Sequence, residues 1–208
     1  ESAVIEIGRQ ISTWNIQTGQ NGVVTCSQGG FRLETGEIRA PDVAFTPKEI
    51  YCSLTKVQGT SFRGPAFSPT LVVEVDDMED TNSVKFHELD SKFKDAYFAL
   101  STSVKLGWLI DPINDQIWVY KRTNINNGCH RYKYRWKDLD GSNTLPGFKL
   151  EVWKIKEAMS QESSESSESE DENLHHFCSY CLQTFNNGYL LVKHIEDDHL
   201  RKKRKKTD

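Results

Sequence analysis

The amino-acid sequence predicts an α/β or α+β domain followed by a small Cys/His-rich unit. A helical pattern opens the chain, and strand-like segments separated by turns occupy most of the part that follows. One of these segments is almost continuously apolar, which is typical of a strand buried on both faces of a sheet. Helices and strands in this order pack as layers around a single core.

Composition limits the classes of protein that need to be considered. The chain has 208 residues, of which 37% are hydrophobic and 11% aromatic, enough for one domain core and a small appendage. This excludes a wholly disordered chain. No apolar run approaches the roughly 18 residues of a membrane span, so we expect no membrane partner. Five cysteines are too few for a disulfide scaffold, which favours a reducing compartment.

The first elements follow from periodicity and turn residues. Apolar residues between Val4 and Trp14 recur with helical spacing, which predicts an N-terminal helix. Val23–Cys26 is a predicted strand, and Phe31–Leu33 and Ile38–Arg39 are predicted to form a hairpin. Val43–Phe45 follows a proline, as the start of a strand often does.

The second group of elements contains the segments expected at the centre of the sheet. Leu71–Val75 is the near-continuous apolar strand, and a helix is expected from Leu89 to Leu100. Gly107–Pro112 is a second buried strand, with Gln116–Tyr120 as its hairpin partner. Lys149–Val152 is expected to close the domain as a last strand.

The chain divides by composition into four segments. Residues 160–173 contain no apolar side chain, so they cannot offset the entropy lost on ordering and are expected to be disordered. The predicted segments are a globular domain at 1–157, an acidic Ser/Glu linker at 158–173, a Cys/His unit at 174–200 and a basic tail at 201–208.

Two acidic residues occupy informative positions in the predicted sheet. Asp42 follows a proline at the mouth of one strand, and Glu74 interrupts the apolar strand. Ionised carboxylates are rarely buried without a partner. If the two strands are neighbours, the two carboxylates converge and repel each other, and a divalent cation bound between them would offset this repulsion. Mg²⁺ or Mn²⁺ suits such a pair. Lys92 or Lys94, on the following helix, could then position a water molecule. A surface Asp and a Glu paired with Lys or Arg remain the open alternative.

Five separated blocks of sequence share a resemblance to a known family. They are Gly29–Leu33, Ile38–Phe45, Thr70–Val75, Val104–Pro112 and Leu145–Phe148. In this order they resemble the Uma2 family, also called DUF820, a branch of the PD-(D/E)XK restriction-endonuclease-like superfamily. The resemblance spans about residues 3–155. It implies a mixed central sheet flanked by helices and a metal-dependent phosphodiesterase site.

The resemblance also implies roles for particular residues. Asp42 and Glu74 would be the two metal ligands, and Glu6 matches an acid that many superfamily members place near the metal. The superfamily's lysine would stand two residues after Glu74, but that position is Asp76. In the Uma2 branch this lysine moves to the following helix, ahead of a tyrosine.

Lys92 and Lys94 precede such a tyrosine, Tyr97, although their spacing departs from the family pattern. The resemblance therefore implies a Mg²⁺-dependent endonuclease that acts on DNA. The departures leave a second hypothesis open, a catalytically inactive module that binds nucleic acid or protein and keeps the nuclease fold.

The C-terminal segment has the ligand spacing of a structural zinc site. Cys178, Cys181, His194 and His199 fit the pattern Cys-x2-Cys followed by His-x4-His. Four such ligands close a tetrahedron around one Zn²⁺, without which so small a unit should not fold. The segment resembles a C2H2 zinc finger with ββα architecture, and it could contact either DNA bases or a protein partner.

A run of six basic residues, Arg201–Lys206, follows directly. Such a run is typical of a nuclear import signal or of an arm that binds phosphates. We therefore expect a nuclear protein in which the finger and tail tether the nuclease to DNA. A transcription factor that works through its finger alone is a third hypothesis. The oligomeric state, a dimer included, stays open.

Overall fold

The computed structural model describes residues 1–60, 64–123, 128–165, 176–177, 181, 183–185, 190 and 193–194. The chain forms two compact units, Glu1–Ser164 and Glu165–Asp208. Within the described residues, no helix is both long and apolar enough to cross a membrane.

The first unit contains five α-helices, one π-helix and ten strands within its described residues. The helices are α1 Ser2–Gln17, α2 Lys48–Ser53, α3 Lys56–Thr60, α4 Val84–Ser91, the π-helix Lys92–Tyr97 and α5 Val152–Glu165, which ends at the boundary between the units. The strands are β1 Val23–Cys26, β2 Phe31–Arg32, β3 Ile38–Arg39, β4 Val43–Thr46, β5 Leu71–Val75, β6 Leu106–Asp111, β7 Gln116–Arg122, β8 Cys129–Arg135, β9 Leu139–Asp140 and β10 Lys149–Leu150.

The central sheet has six strands in the order β1-β4-β5-β6-β7-β8. Strands β5 and β6 are parallel, and the other neighbouring strands are antiparallel. A parallel pair needs a crossover connection, here the segment that contains α4 and the π-helix. This is a mixed sheet flanked by helices, as the family resemblance implies.

Alternation of side chains divides the hydrophobic core into two layers. On one face, Val43 and Val73 pack with Trp108 and with the apolar side of α1. On the other face, Val72 and Leu109 pack with the aromatic residues of the π-helix and of the β2–β3 hairpin. Successive residues of a strand point to opposite faces. Glu74 therefore shares the second face with Val72.

The π-helix lies close to the sheet because β6 has a glycine beneath it. A Cβ atom on Gly107 would stand 2.6 Å from the Phe93 ring. That ring stacks on Tyr120 with centroids 4.3 Å apart. The expected helix Leu89–Leu100 is thus an α-helix that starts earlier, at Val84, and continues as a π-helix to Tyr97.

Two parts of the first unit differ from the sequence prediction. Strand β8 was not expected, because its alternation of basic and aromatic residues lacks an apolar face. The expected strand Lys149–Val152 is wrong beyond Leu150, since Val152 begins α5. Helix α5 also occupies the first residues of the predicted disordered linker, and residues 166–175 lie outside the described residues.

The reason for the difference at α5 is visible in its spacing. Val152 and Ile155 are buried and Met159 packs beside them, which is a helical rather than a strand period. These contacts hold the first turns of the helix against the core, and the helix then continues to Glu165.

A buried carboxylate anchors the segment formed by α4 and the π-helix. Asp90 accepts hydrogen bonds from Lys94 Nζ at 2.6 Å and from Tyr120 Oη at 2.8 Å. It also forms an ion pair with Arg131 of β8 at 2.8 Å. Burial raises the pKa of Asp90, but these three donors outweigh burial and hold the pKa below its usual value.

Replacing Asp90 by asparagine should lower the free energy of unfolding by about 2 kcal/mol at neutral pH, because charged hydrogen bonds are lost. A carboxyl group whose pKa is lower in the folded than in the unfolded protein stabilises the fold at pH values above the unfolded pKa. This stabilisation is lost as the pH falls through the folded pKa. Urea unfolding across acid pH should therefore show the Asp90→Asn variant and the wild type converge. Glu88→Gln, an exposed change on the same helix, is the control; a difference that does not vary with pH would contradict this.

Candidate active site

The register of β4 and β5 brings Asp42 next to Glu74. The two strands pair antiparallel with Val43 opposite Val73, and one further step places Asp42 opposite Glu74. Asp42 Oδ2 accepts a hydrogen bond from the backbone N–H of Val75 at 2.8 Å. Asp42 lies just before β4, and its negative charge raises the pKa of both Glu74 and Tyr97, so its carboxylate is close to both groups.

The Glu74 carboxylate is buried, with 6% of the residue exposed. Its Oε1 atom accepts from Lys92 Nζ at 2.7 Å and from the Tyr97 hydroxyl. Burial, together with the negative charge of Asp42, raises the pKa of Glu74 above its usual value. The charge and hydrogen bond of Lys92 and the hydrogen bond of Tyr97 lower this pKa, but they do not outweigh burial. In the part of the chain that the structure describes, Oε2 has no hydrogen-bond partner.

Two lysines were predicted as alternatives for the site, and the structure brings only one of them to the carboxylates. Lys92, at the start of the π-helix, binds Glu74 and lies 5.4 Å from the centre of the Tyr97 ring. Lys94 points to Asp90 instead. Only two positions separate them, but the helix turns their side chains toward different partners.

Tyr97 holds Glu74 in place from the far end of the π-helix. The residue is fully buried, and its ring lies 6.0 Å from Phe31 and 5.3 Å from Phe93. Burial and the neighbouring Glu74 charge raise the pKa of Tyr97 well above its ordinary value. The hydroxyl therefore stays protonated and donates to the carboxylate. In the sequence, Tyr97 serves only to locate the candidate lysines that precede it, because a buried tyrosine has no motif of its own.

Arg39 adds a second cation that the sequence did not identify. It stands opposite Phe31 in the β2–β3 hairpin, and its positive charge opposes the rise in the pKa of Tyr97. Its Nη2 atom pairs with Glu37 at 2.9 Å. Its Nε atom is buried and has no hydrogen-bond partner among the described residues.

The structure does not bring Glu6 to this group. Glu6 lies on α1, where it pairs with Arg9 at 2.6 Å and accepts from Gln10 at 2.9 Å. Gln10 in turn bonds to the backbone of Glu151, at the start of α5. Among the described residues, no hydrogen bond or ion pair joins Glu6 to Asp42 or Glu74. The hydrogen bond from Arg9 lowers the pKa of Glu6 despite its burial.

Asp42 and Glu74 form a small oxygen donor set. The described part of the chain contains no group of three Asp, Glu, His or Cys side chains that could enclose a metal. Mg²⁺ does not need such a cage, because it binds one or two carboxylates and keeps several waters. Two adjacent carboxylates, one of them with an oxygen that has no hydrogen-bond partner among the described residues, fit this kind of ion.

The second unit is described in part. Strands β11 His176–Phe177 and β12 Thr184–Phe185 pair as an antiparallel hairpin. Cys181 Sγ lies 3.2 Å from His194 Nε2, and the His194 and Phe185 ring centroids are 4.8 Å apart. The other two predicted zinc ligands, Cys178 and His199, lie outside the described residues.

A mixed sheet with paired carboxylates on adjacent strands is consistent with a nuclease-like α/β protein. Residues 1–153 match the Uma2 family, whose description is "Putative restriction endonuclease". The chain belongs to this family.

A solved structure from Anabaena variabilis shares the fold. It is described as "a putative nuclease belonging to DUF820". Its comparison with this chain gives a TM-score of 0.56 and a sequence identity of 10%. The similarity covers 76% of this chain and 80% of that one. No curated protein matches the chain.

Proposed function

We propose that this chain is a metal-dependent endonuclease that hydrolyses phosphodiester bonds of DNA. The observation that carries the proposal is the placement of Asp42 beside a buried Glu74 whose Oε2 atom lacks a hydrogen-bond partner within the described residues. Family membership supports a nuclease, and the description of the family suggests DNA as the substrate.

In this proposal Asp42 and Glu74 hold Mg²⁺ or Mn²⁺. A divalent cation bound there would lower the pKa of a water molecule and stabilise charge on the phosphate. Tyr97 and Lys92 fix the orientation of Glu74 through Oε1, which leaves Oε2 for the cation. The Lys92 amine would also neutralise charge that develops on the phosphate. The Arg39 guanidinium, which is partly exposed, would bind a phosphate oxygen.

One observation favours the alternative of an inactive binding module. Asp76 occupies the position two residues after Glu74 where the superfamily has its lysine, and it pairs with Lys85 at 2.6 Å. An added acid near the carboxylate pair would disfavour a bound phosphate. Activity therefore depends on whether Lys92 can substitute for the missing lysine.

The two lysines give a matched test of the proposal. Lys92→Met should reduce cleavage of supercoiled plasmid in Mg²⁺ or Mn²⁺ by at least about 100-fold, since the loss of a charge-stabilising donor has effects of this size. Lys94→Met should keep activity within a few-fold, because Lys94 binds Asp90 and not Glu74. Initial rates of nicking measure both.

The thermal midpoint of each variant, compared with that of the wild type, shows whether a lost activity reflects unfolding. Equal losses in two folded variants would contradict the assignment of Lys92. A wild type that cuts no DNA with either metal would favour the inactive module.

We also propose that residues 174–200 form a C2H2 finger with one structural Zn²⁺ bound by Cys178, Cys181, His194 and His199. The antiparallel hairpin and the short Cys181–His194 distance support this part of the proposal. Bonds of about 2.3 Å to sulfur and 2.0 Å to nitrogen at a tetrahedral angle separate two ligand atoms by about 3.5 Å. The separation of 3.2 Å between Cys181 Sγ and His194 Nε2 fits such a pair.

The finger and the basic tail would tether the nuclease to its substrate in the nucleus. Cationic residues that contact phosphates strengthen binding to any DNA sequence. A protein partner for the finger is the alternative, since a single finger reads only about three base pairs.

The zinc proposal predicts one zinc ion per chain in protein purified without chelators. Cys181→Ser and His194→Ala should each abolish retained zinc, because loss of one ligand opens the tetrahedron. Cys52→Ser, at an exposed cysteine of the first unit, is the control and should retain it. Elemental analysis measures the ratio, and a zinc-free wild type would refute the site.

A further inference from the structure

Strand β8 is an edge of the central sheet and separates its charged and aromatic residues by face. Arg131, Lys133 and Arg135 alternate with tyrosines along Cys129–Arg135, and the strand contains no acidic residue. Because side chains alternate, the three cations lie on one face of the sheet. Lys133 pairs in register with Trp118, which belongs to the core layer on the same face as Glu74.

Two of these three cations make no ion pair in the described part of the chain. Arg131 binds Asp90, whereas Lys133 lies over the Trp118 ring at 5.3 Å and Arg135 contacts no acid. Charged residues on an edge strand do oppose aggregation. That role accounts for the charges on the edge strand, but it does not account for the groove that adjoins Lys133 and Arg135.

A groove of about 740 Å³ adjoins Lys133 and Arg135 at the end of β7 and β8. It is also lined by Asn114, Gln116 and Trp136.

One acidic residue, Asp115, also lines the groove. Its carboxylate pairs with Lys156 at 2.7 Å, so its charge is balanced. Lys133 and Arg135 therefore set the sign of the potential there, and a polyanion is the complementary ligand.

The sheet register fixes how far this surface is from the carboxylates. Glu74 pairs with Leu109, Leu109 with Trp118 and Trp118 with Lys133, so all four lie in one row across four strands. Neighbouring strands are about 4.8 Å apart, which puts the Lys133 backbone roughly 14 Å from that of Glu74. This equals the rise of about four base pairs of DNA.

We infer that the surface at this edge of the sheet binds a nucleic acid several nucleotides from the cleaved bond. This surface, here called the basic edge surface, consists of Lys133, Arg135, Asn114, Gln116 and Trp136. Lys133 and Arg135 contact the phosphates of this ligand. The inference rests on the proposed function for its choice of ligand. It does not depend on cleavage.

The test measures the salt dependence of DNA binding by the full chain carrying Glu74→Gln, so that no chelator is needed to prevent cutting. Each phosphate contact contributes about 0.9 to the slope of log K against log salt. Adding Lys133→Gln and Arg135→Gln together should lower the slope by about 2, measured by fluorescence anisotropy with a labelled duplex.

Two controls distinguish the effect of this surface on DNA binding from the effect of the protein's net charge. Lys48→Gln with Lys105→Gln removes the same charge at the opposite end of the sheet and should leave the slope unchanged. Arg135→Lys keeps the charge and should also leave the slope unchanged. The same slope loss in both double variants, or in neither, would overturn the inference.

Two further arms complete the test. Repeating the titration with one strand of the duplex identifies the preferred form, and a slope loss with either form supports the surface. Cleavage by the wild type is scored separately. A slope loss without cleavage refutes the nuclease and keeps the surface, whereas cleavage with an unchanged slope refutes the surface.

Discussion

The antiparallel register of β4 and β5 is the constraint on which the candidate site depends. A slip of one residue would turn Asp42 to the opposite face of the sheet and leave Glu74 without its neighbour. The apolar residues around both positions fix this register, because Val43 and Val73 belong to one core layer and Val72 to the other. The core thus places two mutually repelling carboxylates side by side.

Burial and the neighbouring Asp42 charge both disfavour an ionised Glu74, so the fold must supply hydrogen bonds and a cation to it. The segment between β5 and β6 supplies them. Lys92 and Tyr97, at the two ends of the π-helix, both bind Oε1 of Glu74. The π-helix is held in turn by the Asp90 contacts and by the close approach of Phe93 to Gly107. Short π-helical segments are frequent at functional sites, and here the segment directs Lys92 and Lys94 to different partners.

Sequence patterns were sufficient where burial imposes a regular period. Helix α1, strands β5 and β6 and the β6–β7 hairpin were predicted in this way. The pairing of Asp42 with Glu74 followed from the family resemblance and not from periodicity. The choice between Lys92 and Lys94 was not predictable, since it depends on the π-helical turn. Arg39 stands opposite Phe31, whose ring packs near Tyr97 and thus near Glu74, and this tertiary arrangement has no local signature. Strand β8 was missed because an edge strand need not have an apolar face.

The most direct measurement of the central claim is calorimetric titration of Mn²⁺ into the purified full chain. If Asp42 and Glu74 hold one ion, the wild type binds one equivalent at this site, and Asp42→Asn or Glu74→Gln each eliminates that binding while the protein remains folded. If both variants bind Mn²⁺ as the wild type does, the two carboxylates are not the ligands and the proposed chemistry is wrong.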